Sequence, residues 1–396
     1  MSEWQTFCLK DLGKIVGGTT PSTNNPKNYG NKIAWITPKD LSTLQGRYIK
    51  KGSRSISRLG FKSCSCVLLP KHAILFSSRA PIGYVAIAKK RLCTNQGFKS
   101  IIPNKKIYFE FLYYLLKYHK DNISNIGGGT TFKEVSGATL GLFKVKIPPT
   151  YYEQQKIART LSILDQKIEN NHKINELLHK ILELLYEQYF VRFDFLDENN
   201  KPYQTSGGKM KFSKELNRLI PSGWSVRFLN HKIVSTYQPK TISKTLLNDS
   251  YSYSVYGGGG IIGRFTEYNH EQSEFIISCR GQCGISYLTL PKSWITGNAM
   301  VIRPTKSYTS KTYLYHTIKK YKLTNYITGS VQPQITRQNL STMPILIPKR
   351  KTLNKWNNIS SLLWNLIHNN MQSTQTLTAL RDFLLPLLLK QQVKPQ

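Results

Sequence analysis

The sequence predicts an α+β protein with a pseudo-twofold internal repeat, in which two globular modules are separated by two long antiparallel coiled-coil helices. Three observations support this prediction. Two segments carry heptad patterns, two mixed segments share short motifs in the same order, and most of the positive charge lies in those mixed segments. With 396 residues, the chain is long enough for two or three domains that each bury a core.

Two heptad patterns predict the long helices. Their apolar positions alternate at spacings of three and four residues, which is typical of a coiled coil. The first pattern runs through Ile157, Leu161, Leu164, Ile168, Asn171, Asn175, Leu178, Leu182, Leu185 and Tyr189, and the second through Ile359, Leu363, Leu366, Asn370, Ser373, Leu377, Leu380, Leu384 and Leu387. The first helix would span about 50 Å at 1.5 Å per residue.

Both patterns become polar at their centres. We interpret Asn171, Asn175, Asn370 and Ser373 as residues that fix the register of a helix pair. Two heptad faces in one chain would most simply pair with each other. The alternatives are that the two helices belong to unrelated cores, or that they pair with another chain.

The two mixed segments resemble each other. Each has an apolar run followed by Ser-x-Arg, with a glycine four residues after the arginine, at 74–83 and at 275–284. Further on, TNQG at 94–97 matches TGNA at 296–299, and each module ends in a glycine-bearing loop and an Ile-Pro before its long helix. Short β-branched and aromatic runs predict strands, and the stretches 109–119 and 311–322 predict short helices. The repeat period of about 200 residues is too long for a solenoid.

The charge distribution favours a polyanionic partner. Lys and Arg number 56 against 21 Asp and Glu, a net charge of +35. Residues 1–150 hold 24 basic and 6 acidic side chains, residues 201–348 hold 19 and 5, and residues 151–200 hold 6 and 9. Such an excess opposes compactness unless a polyanion binds it. Nucleic acid is therefore favoured over an anionic membrane surface, because no basic amphipathic helix carries the charge.

Several catalytic motifs are absent or lack their context. The G-x-G-x-x-G at 258–263 is followed by neither a helical pattern nor a suitably placed acidic residue, so we predict no dinucleotide site. There is no P-loop and no [DNS]-P-P-[YFW] motif of amino-methyltransferases. The sequence DQK at 165–167 supplies the tail of a nuclease-like D-x-K, but we interpret Asp165 as part of a solvated helical face. We therefore predict no catalytic residue and no cofactor.

Cysteines and hydropathy point to a reduced, intracellular protein. The six cysteines form no C-x-x-C pair, so we predict no metal site. No apolar stretch approaches the roughly 20 residues of a membrane span, and the N-terminus has no secretory pattern. We expect a cytoplasmic protein without a membrane partner.

Motifs along the whole chain resemble the specificity (S) subunit of type I restriction–modification systems. WITPKDL at 35–41, SSRAPIG at 77–83 and TNQGF at 94–98 resemble one class of its target recognition domain, and YGGGGIIG at 256–263 resembles another. EQQKIA at 153–158 and YFVRFD at 189–194 resemble the two ends of its central conserved helix, and RDFLLPL at 381–387 resembles the close of its C-terminal helix. The start of the second helix departs from the family, since KTLNK at 351–355 replaces the expected Glu-Gln. Together and in order, these motifs are highly specific.

The resemblance implies a domain plan and a role. Target recognition domains would occupy 1–150 and 218–348, spacer helices 151–194 and 349–396, and a linker 195–217. The family's S subunit is non-catalytic, recognises a bipartite asymmetric sequence in double-stranded DNA, and docks methyltransferase (M) subunits, expected to be two, and restriction (R) motor-nuclease subunits. The alternative is a stand-alone duplicated DNA-binding or regulatory protein that lacks M and R partners.

Candidate DNA contacts lie near the shared motifs. They are Ser78, Arg79, Lys99, Thr130, Thr131 and Lys133 in the first module, and Tyr256, Arg264, Arg280, Gln332 and Gln334 in the second. The two arginines after the Ser-x motif occupy matching places, and arginine can bind guanine or phosphate through two hydrogen bonds. A fold-stabilising role is the alternative. The two glutamines could read adenine edges or belong to a solvated loop, and the tyrosine flanks a glycine turn that phosphate could approach.

Overall fold

The computed structural model describes residues 3–129, 133–249, 251–329 and 332–395. The chain forms two compact units. The first unit comprises Met1–Lys173 with Asn370–Gln396, and the second unit comprises Ile174–Asn369. Both boundaries fall within the polar centres of the two heptad patterns, so each unit contains one module and half of each long helix.

The first unit contains ten strands and six short helices among its described residues. The strands are β1 (Gln5–Cys8), β2 (Gly13–Gly17), β3 (Tyr29–Ile36), β4 (Tyr48–Ile49), β5 (Arg54–Ile56), β6 (Ile74–Phe76), β7 (Val85–Ala88), β8 (Cys93–Thr94), β9 (Lys99–Pro103) and β10 (Lys144–Ile147). The helices are α1 (Leu9–Leu12), α2 (Pro38–Ser42), α3 (Arg58–Lys62), α4 (Phe109–Tyr118), α5 (Lys120–Asn125) and α6 (Gly137–Leu142). The first long helix, α7 (Tyr151–Tyr186), begins here and continues into the second unit, where a π-helical turn follows at Glu187–Val191.

The second unit contains thirteen strands and two short α-helices among its described residues. Its strands are β11 (Met210–Ser213), β12 (Arg218–Pro221), β13 (Ser225–Phe228), β14 (Val234–Tyr237), β15 (Tyr253–Gly257), β16 (Gly260–Phe265), β17 (Phe275–Ser278), β18 (Ser286–Leu288), β19 (Trp294–Ile295), β20 (Ala299–Pro304), β21 (Ile327–Thr328), β22 (Gln334–Ile335) and β23 (Pro344–Ile347). Its short helices are α8 (Lys311–Lys320) and α9 (Arg337–Ser341), and the second long helix is α10 (Arg350–Leu389). The two predicted short helices correspond to α4 and α8.

Sheet topology confirms the internal duplication. The first unit has a five-stranded sheet of order β2-β9-β6-β7-β4, and the second has a four-stranded sheet of order β14-β20-β17-β18. A three-stranded sheet, β5-β3-β8 or β16-β15-β19, accompanies each, and a pair, β1-β10 or β13-β23, ties the start of the module to the strand before its long helix. These sheets match strand for strand except for the additional β4, and the second unit also has the pairs β11-β12 and β21-β22.

Local capping is repeated as well. In the first unit, Ser136 caps α6 by accepting a hydrogen bond from the Thr139 amide (3.0 Å). In the second, Thr336 caps α9 by accepting one from the Asn339 amide (3.1 Å). A hydroxyl at this position satisfies an amide that would otherwise lack a partner in the first turn. Each cap thus sets the turn that leads into the last strand of its module.

The module and the helices of the first unit share one hydrophobic core. Helix α4 buries its apolar residues against β6, and Phe111 and Tyr114 are fully buried. The same cluster includes Leu161 of α7 and Leu388 of α10. Burial of side chains of this size stabilises the fold by about 1.5–3 kcal/mol each, so the helices are part of the domain core.

The two long helices pair in antiparallel orientation within each unit. In the first unit, the Asn171 side-chain amide donates to the Asn370 carbonyl (3.4 Å) and to Thr374 Oγ1 (3.2 Å). In the second, the Asn175 amide donates to the Ile367 carbonyl (3.2 Å). Residue numbers that rise along α7 are matched by falling numbers along α10. The predicted pairing within the chain is therefore confirmed.

The predicted heptad face of α10 is wrong by one residue. Ile359, Leu366 and Leu380 lie on the predicted face but are 37%, 44% and 43% exposed. The buried positions of α10 include Leu353, Trp356, Ser360, Trp364, Ile367, Leu385 and Leu388. The spacing of leucine and isoleucine predicts one face of α10. The residues that contact α7 instead include tryptophans and polar residues that bond across the helix pair. Consequently, Ser373 is exposed and the adjacent Thr374 bonds to Asn171.

The predicted linker is an ordered part of the second unit. Phe195 stacks on the buried Trp224 with ring centroids 5.1 Å apart. Strand β11 pairs with β12 from Met210↔Pro221 to Ser213↔Arg218. The polar composition of 195–217 reflects an exposed hairpin. Among the described residues, no helix has both the length and the apolar character needed to cross a membrane.

Candidate nucleic-acid interface

The two Ser-x-Arg motifs form loops with the same hydrogen bonds. We call residues 77–84 the first arginine loop and residues 278–285 the second. In the first, Ser77 Oγ donates to the Pro81 carbonyl (2.8 Å) and accepts from the Tyr84 amide (2.8 Å). In the second, Ser278 Oγ donates to the Gln282 carbonyl (2.6 Å) and accepts from the Ile285 amide (2.8 Å). The serine therefore closes each loop, and the glycine four residues after the arginine has a positive φ in both, 102° and 88°.

Each arginine loop is held between the same two neighbouring segments. The Ser78 amide donates to the Gly97 carbonyl (2.8 Å), and the Cys279 amide donates to the Asn298 carbonyl (3.0 Å). On the other side, the Val135 amide donates to the Ser78 carbonyl (3.0 Å), as the Ile335 amide does to the Cys279 carbonyl (3.0 Å). These bonds align the two modules atom by atom.

The alignment corrects one detail of the sequence comparison. Because Gly97 corresponds to Asn298, the match of TNQG to TGNA is off by one residue. Asn95 corresponds to Thr296, since their amides donate to the Ile36 and Tyr256 carbonyls (2.9 and 3.0 Å). A match by residue identity pairs Thr94 with Thr296. The backbone hydrogen bonds instead pair Asn95 with Thr296, because these two residues occupy the same place in their modules.

The first arginine loop brings three charged side chains together. Arg79 Nη1 lies 3.6 Å from Glu134 Oε2, and Lys99 Nζ lies 3.3 Å from Glu134 Oε1. The side chains of Arg79 and Glu134 are 36% and 35% exposed. Lys133, next to Glu134 in the chain, is exposed. Thr130 and Thr131 lie outside the described residues.

The second arginine loop has a different surface. Arg280 forms a backbone bridge with Gln334, and both side chains are exposed. Arg280, Gly281, Gln332, Pro333 and Gln334 line one shallow pocket. The structure therefore brings three of the predicted contacts of this module together, while Arg264 lies half-exposed on β16 opposite Ser254.

Two of the predicted DNA contacts have buried side chains. Ser78 has no exposed surface, and its hydroxyl donates to the Gly97 carbonyl (3.3 Å). Tyr256 is 3% exposed, and its hydroxyl accepts a hydrogen bond from the Leu290 amide (3.1 Å). Burial raises the pKa of Tyr256 to about 12. Both side chains stabilise the fold from inside, although they adjoin the motifs that suggested DNA contact.

Sequence analysis did not identify Glu134. An acidic residue is unexpected among the cations of a basic module, and the residues noted there were its neighbours. The hydrogen bonds that pair Val135 with Ile335 place Glu134 opposite Gln334 of the second module. An alignment of the two glycine loops that included the residues after them would have shown that Glu134 corresponds to Gln334.

A buried charge network joins the first module to the long helices. Asp165 accepts hydrogen bonds from Arg381 Nη1 (2.8 Å) and the Tyr114 hydroxyl (2.6 Å). Arg47 Nη1 lies 3.1 Å from Glu110 Oε1, and its Nε lies 3.1 Å from Glu169 Oε1. The interpretation of Asp165 as a solvated residue is therefore wrong, since it is 4% exposed. Its charge holds α4, α7 and α10 together.

The second module contacts the long helices mainly through aromatic rings. His316 of α8 stacks on Tyr186 (centroids 5.6 Å apart) and packs edge-on against Trp356 (5.3 Å). His368 of α10 packs against Trp364 (5.8 Å). Burial lowers the pKa of His316 to about 3 and that of His368 to about 4. Both imidazoles are thus neutral in the folded protein at neutral pH.

No metal site is apparent in the described parts of the chain. No group of three or more His, Cys, Asp or Glu side chains there is arranged to hold a metal ion. All six cysteines are free thiols. The candidate interface is formed by basic and amide side chains together with the carboxylate of Glu134.

These features define a class of DNA-recognition protein with two recognition modules on paired helices, and comparisons with known proteins identify the family. The chain belongs to the specificity subunits of type I restriction–modification systems. The family model "Type I restriction modification DNA specificity domain" matches residues 1–180 and 221–380, so each match contains one module and most of the helix that follows it. Specificity subunits recognise DNA and are not catalytic.

Three relatives illustrate the similarity. The type I restriction enzyme MjaIX specificity subunit of Methanocaldococcus jannaschii is 32% identical over 98% of this chain and 92% of its own length. The HindI specificity subunit of Haemophilus influenzae is 31% identical over 46% of this chain and 40% of its own length. The crystal structure of an S subunit from M. genitalium superposes with a TM-score of 0.61 at 18% identity, covering 98% of this chain and 96% of that one. The structural match supports the fold.

Proposed function

We propose that this chain recognises a bipartite, asymmetric DNA target, with one half-site for each module, and that it docks M and R subunits, with two M subunits expected. The carrying observation is the pair of arginine loops, which share their backbone hydrogen bonds but differ at the exposed positions. The first presents Arg79, Lys99 and Glu134, and the second presents Arg280, Gln332 and Gln334. Equal scaffolds with unlike side chains suit two half-sites of different sequence.

The domain plan of this proposal follows the modules. Recognition belongs to 1–150 and 218–348, while the helical segments 151–194 and 349–396 set the spacing between half-sites. Helices α7 and α10 contain 36 and 40 residues. The complex would act in the cytoplasm, where it meets the DNA. The alternative is a stand-alone DNA-binding or regulatory protein that lacks M and R partners. Experiments on binding of an M subunit distinguish the two hypotheses.

A matched insertion in both helices tests the spacing role. One heptad inserted after Lys173 and another after Asn369, the two boundaries between units, keeps the heptad phase of each helix. The insertion adds about 10 Å, which corresponds to about three base pairs at ~3.4 Å each. We expect selection from a random duplex library to return the same half-site bases with a spacer longer by about three base pairs.

The control carries the same seven residues in the exposed turn after Ser206. This variant should select the original spacer. If the double insertion also retains the original spacer, the helices do not set the distance. If the unaltered chain selects no bipartite sequence, the proposed function itself fails.

The long helices expose an apolar surface in the second unit. We define the apolar flank as Ile174, Leu177, Ile181 and Leu184 of α7 with Ile359, Leu362 and Leu366 of α10, all of which are 37–62% exposed. Ile181, Ile359 and Leu366 directly precede buried positions of their helices, and Ile174, Leu177 and Leu184 directly precede positions of the α7 heptad pattern. Two antiparallel helices are related by a twofold axis perpendicular to the plane that contains them. Residues that precede contact positions on the two helices therefore lie on the same side of that plane. His179 packs on Trp364 (5.1 Å), so Leu177 is level with Leu366.

The apolar flank is the proposed contact for an M subunit. A continuous exposed apolar surface on a monomer indicates a protein partner, and membership of the family supplies the partner's identity. A Leu177→Glu/Leu362→Glu variant should lose co-purification with a co-expressed M subunit, because two charges would be buried without partners. Binding of the isolated chain to DNA should remain, since both residues are exposed and outside the arginine loops.

A matched control uses two exposed residues elsewhere on the same helices. Lys180→Glu/Asn365→Glu also places two acidic residues on exposed positions of α7 and α10, and should retain the M subunit. Retention of the M subunit by the Leu177/Leu362 variant would contradict this contact. Failure of the unaltered chain to bind any M subunit would support the stand-alone alternative.

A further inference from the structure

The position occupied by Glu134 differs in charge between the two modules. Glu134 and Gln334 are equivalent, because the residues after them donate to equivalent carbonyls, Ser78 and Cys279. The arginines beside them, Arg79 and Arg280, are equivalent as well. The first module therefore places a carboxylate where the second places a neutral amide.

The backbone of Glu134 is fixed on both sides. Its amide donates to the Gly128 carbonyl (2.9 Å), and its carbonyl accepts from the Gly128 amide (3.1 Å). The next residue, Val135, is fully buried. The carboxylate thus projects from a held segment, beside the guanidinium of Arg79 and the ammonium of Lys99.

Stability alone does not account for this carboxylate. Ion pairs between half-exposed side chains contribute little to folding. A carboxylate also repels phosphate, so it weakens the general attraction of this basic surface for DNA. A residue that opposes non-specific binding and lies beside the first arginine loop is suited to selectivity.

Donor and acceptor chemistry identifies what Glu134 can read. An ionised carboxylate only accepts hydrogen bonds, whereas glutamine both donates and accepts. In the major groove, cytosine presents an amino donor, and its partner guanine presents two acceptors that arginine binds through two hydrogen bonds. The adjacent Arg79 and Glu134 therefore match the two halves of one G·C pair.

We propose that Glu134 is a specificity-determining residue of the first module, which accepts a hydrogen bond from the N4 amino group of a cytosine while Arg79 binds the paired guanine. Lys99 keeps the carboxylate in place from its other side. Gln334 occupies the same position in the second module. Its side-chain amide would form hydrogen bonds with N6 and N7 of an adenine. This inference rests on the proposed function, because it requires that the first arginine loop faces a half-site.

The first test compares base preferences in a selection from random duplexes with the full-length chain. Glu134→Gln should reduce the preference for G·C at one position of one half-site by about 5- to 150-fold, while the other half-site is unchanged. Affinity for non-specific DNA should rise, since a negative charge is removed. Gln334→Ala is the matched control, and it should alter the other half-site.

A second test removes the amino group from the DNA. In a duplex with pyrimidin-2-one in place of the selected cytosine, the unaltered chain should lose affinity, and Glu134→Gln should lose little. A residue that only stabilises the loop would not distinguish the two duplexes. Circular dichroism at increasing temperature checks that both variants fold.

The outcomes separate this inference from the proposed function. A bipartite selection that is the same for Glu134→Gln and the unaltered chain overturns the inference and leaves the proposed function intact. Equal loss of affinity for the pyrimidin-2-one duplex in both proteins also overturns it. If the unaltered chain selects no bipartite sequence, the proposed function fails first.

Discussion

Replacing Asp165 by alanine should destabilise the first unit by about 3–5 kcal/mol. The substitution removes the acceptor of Arg381 Nη1 and of the Tyr114 hydroxyl, and it leaves the guanidinium of Arg381, 12% exposed, without its shortest contact to α7. Arg381 then keeps the exposed Asp382 as an ionic partner (2.8 Å), but it loses the buried carboxylate that offsets most of the cost of its desolvation. Hydrogen–deuterium exchange of α4 and α7 peptides, measured against denaturant, follows this unit separately from the other.

A surface ion pair provides the control. Lys319 and Glu183 lie 2.6 Å apart, but both side chains are 47% exposed. Glu183→Ala should change the free energy of unfolding of the second unit by at most about 1 kcal/mol. Equal effects of the two substitutions would mean that Asp165 is solvated in solution. An Asp165→Asn variant refines the result, because it keeps the shape of the side chain and removes only the charge.

Acidification from pH 7 to pH 5 should destabilise the second unit by up to about 4 kcal/mol through His316 and His368 together. Burial holds their pKa values at about 3 and about 4 in the folded state, against about 6.5 in the unfolded chain. Below pH 6.5 the unfolded state therefore binds protons that the folded state does not. The stability is fully present above pH 6.5 and is lost as the pH falls towards the folded-state pKa values.

Neighbouring groups reinforce this direction. Lys319 and Lys311 repel a proton on the imidazoles, and burial also lowers the pKa of His179 and His270 in the same unit. Denaturant titrations monitored by tryptophan fluorescence between pH 5 and 7 measure the slope of the free energy of unfolding against pH. This range lies above the usual pKa of carboxyl groups. His316→Phe should remove about half of the ~4 kcal/mol that we assign to His316 and His368, whereas replacement of the exposed His231 by asparagine should leave the loss of stability unchanged. A slope that His316→Phe does not alter would contradict this assignment.

Sequence patterns predicted what is periodic or repeated. The heptad spacing of α7 was right because its contact face is built from aliphatic residues such as Leu161 and Leu182. The face of α10 was displaced because Trp356, Trp364 and Thr374 occupy contact positions that a count of leucines does not register. Duplication was recognisable from Ser-x-Arg, since the serine of that motif closes the loop in both modules.

Individual site residues depended on contacts between distant parts of the chain. Asp165 and Arg381 are 216 residues apart, so nothing near either residue indicated a buried pair. Motifs pointed to Ser78 in the first arginine loop and to Tyr256 beside the glycine turn, but only the surrounding strands determine that these side chains are buried. The correspondence of Glu134 with Gln334 follows only from the backbone hydrogen bonds that are equivalent in the two modules.

The position of the unit boundaries has an evolutionary consequence. The second unit is one uninterrupted stretch, Ile174–Asn369, whereas the first is assembled from both ends of the chain. A recombination event with crossovers at these two points would transfer a module together with its own halves of α7 and α10, so the aromatic packing of His316 on Tyr186 and Trp356 would travel intact. The crossovers would fall beside Asn171, which bonds to α10 within the first unit, and Asn175, which bonds to α10 within the second. The architecture thus permits one module to be exchanged as a single gene cassette.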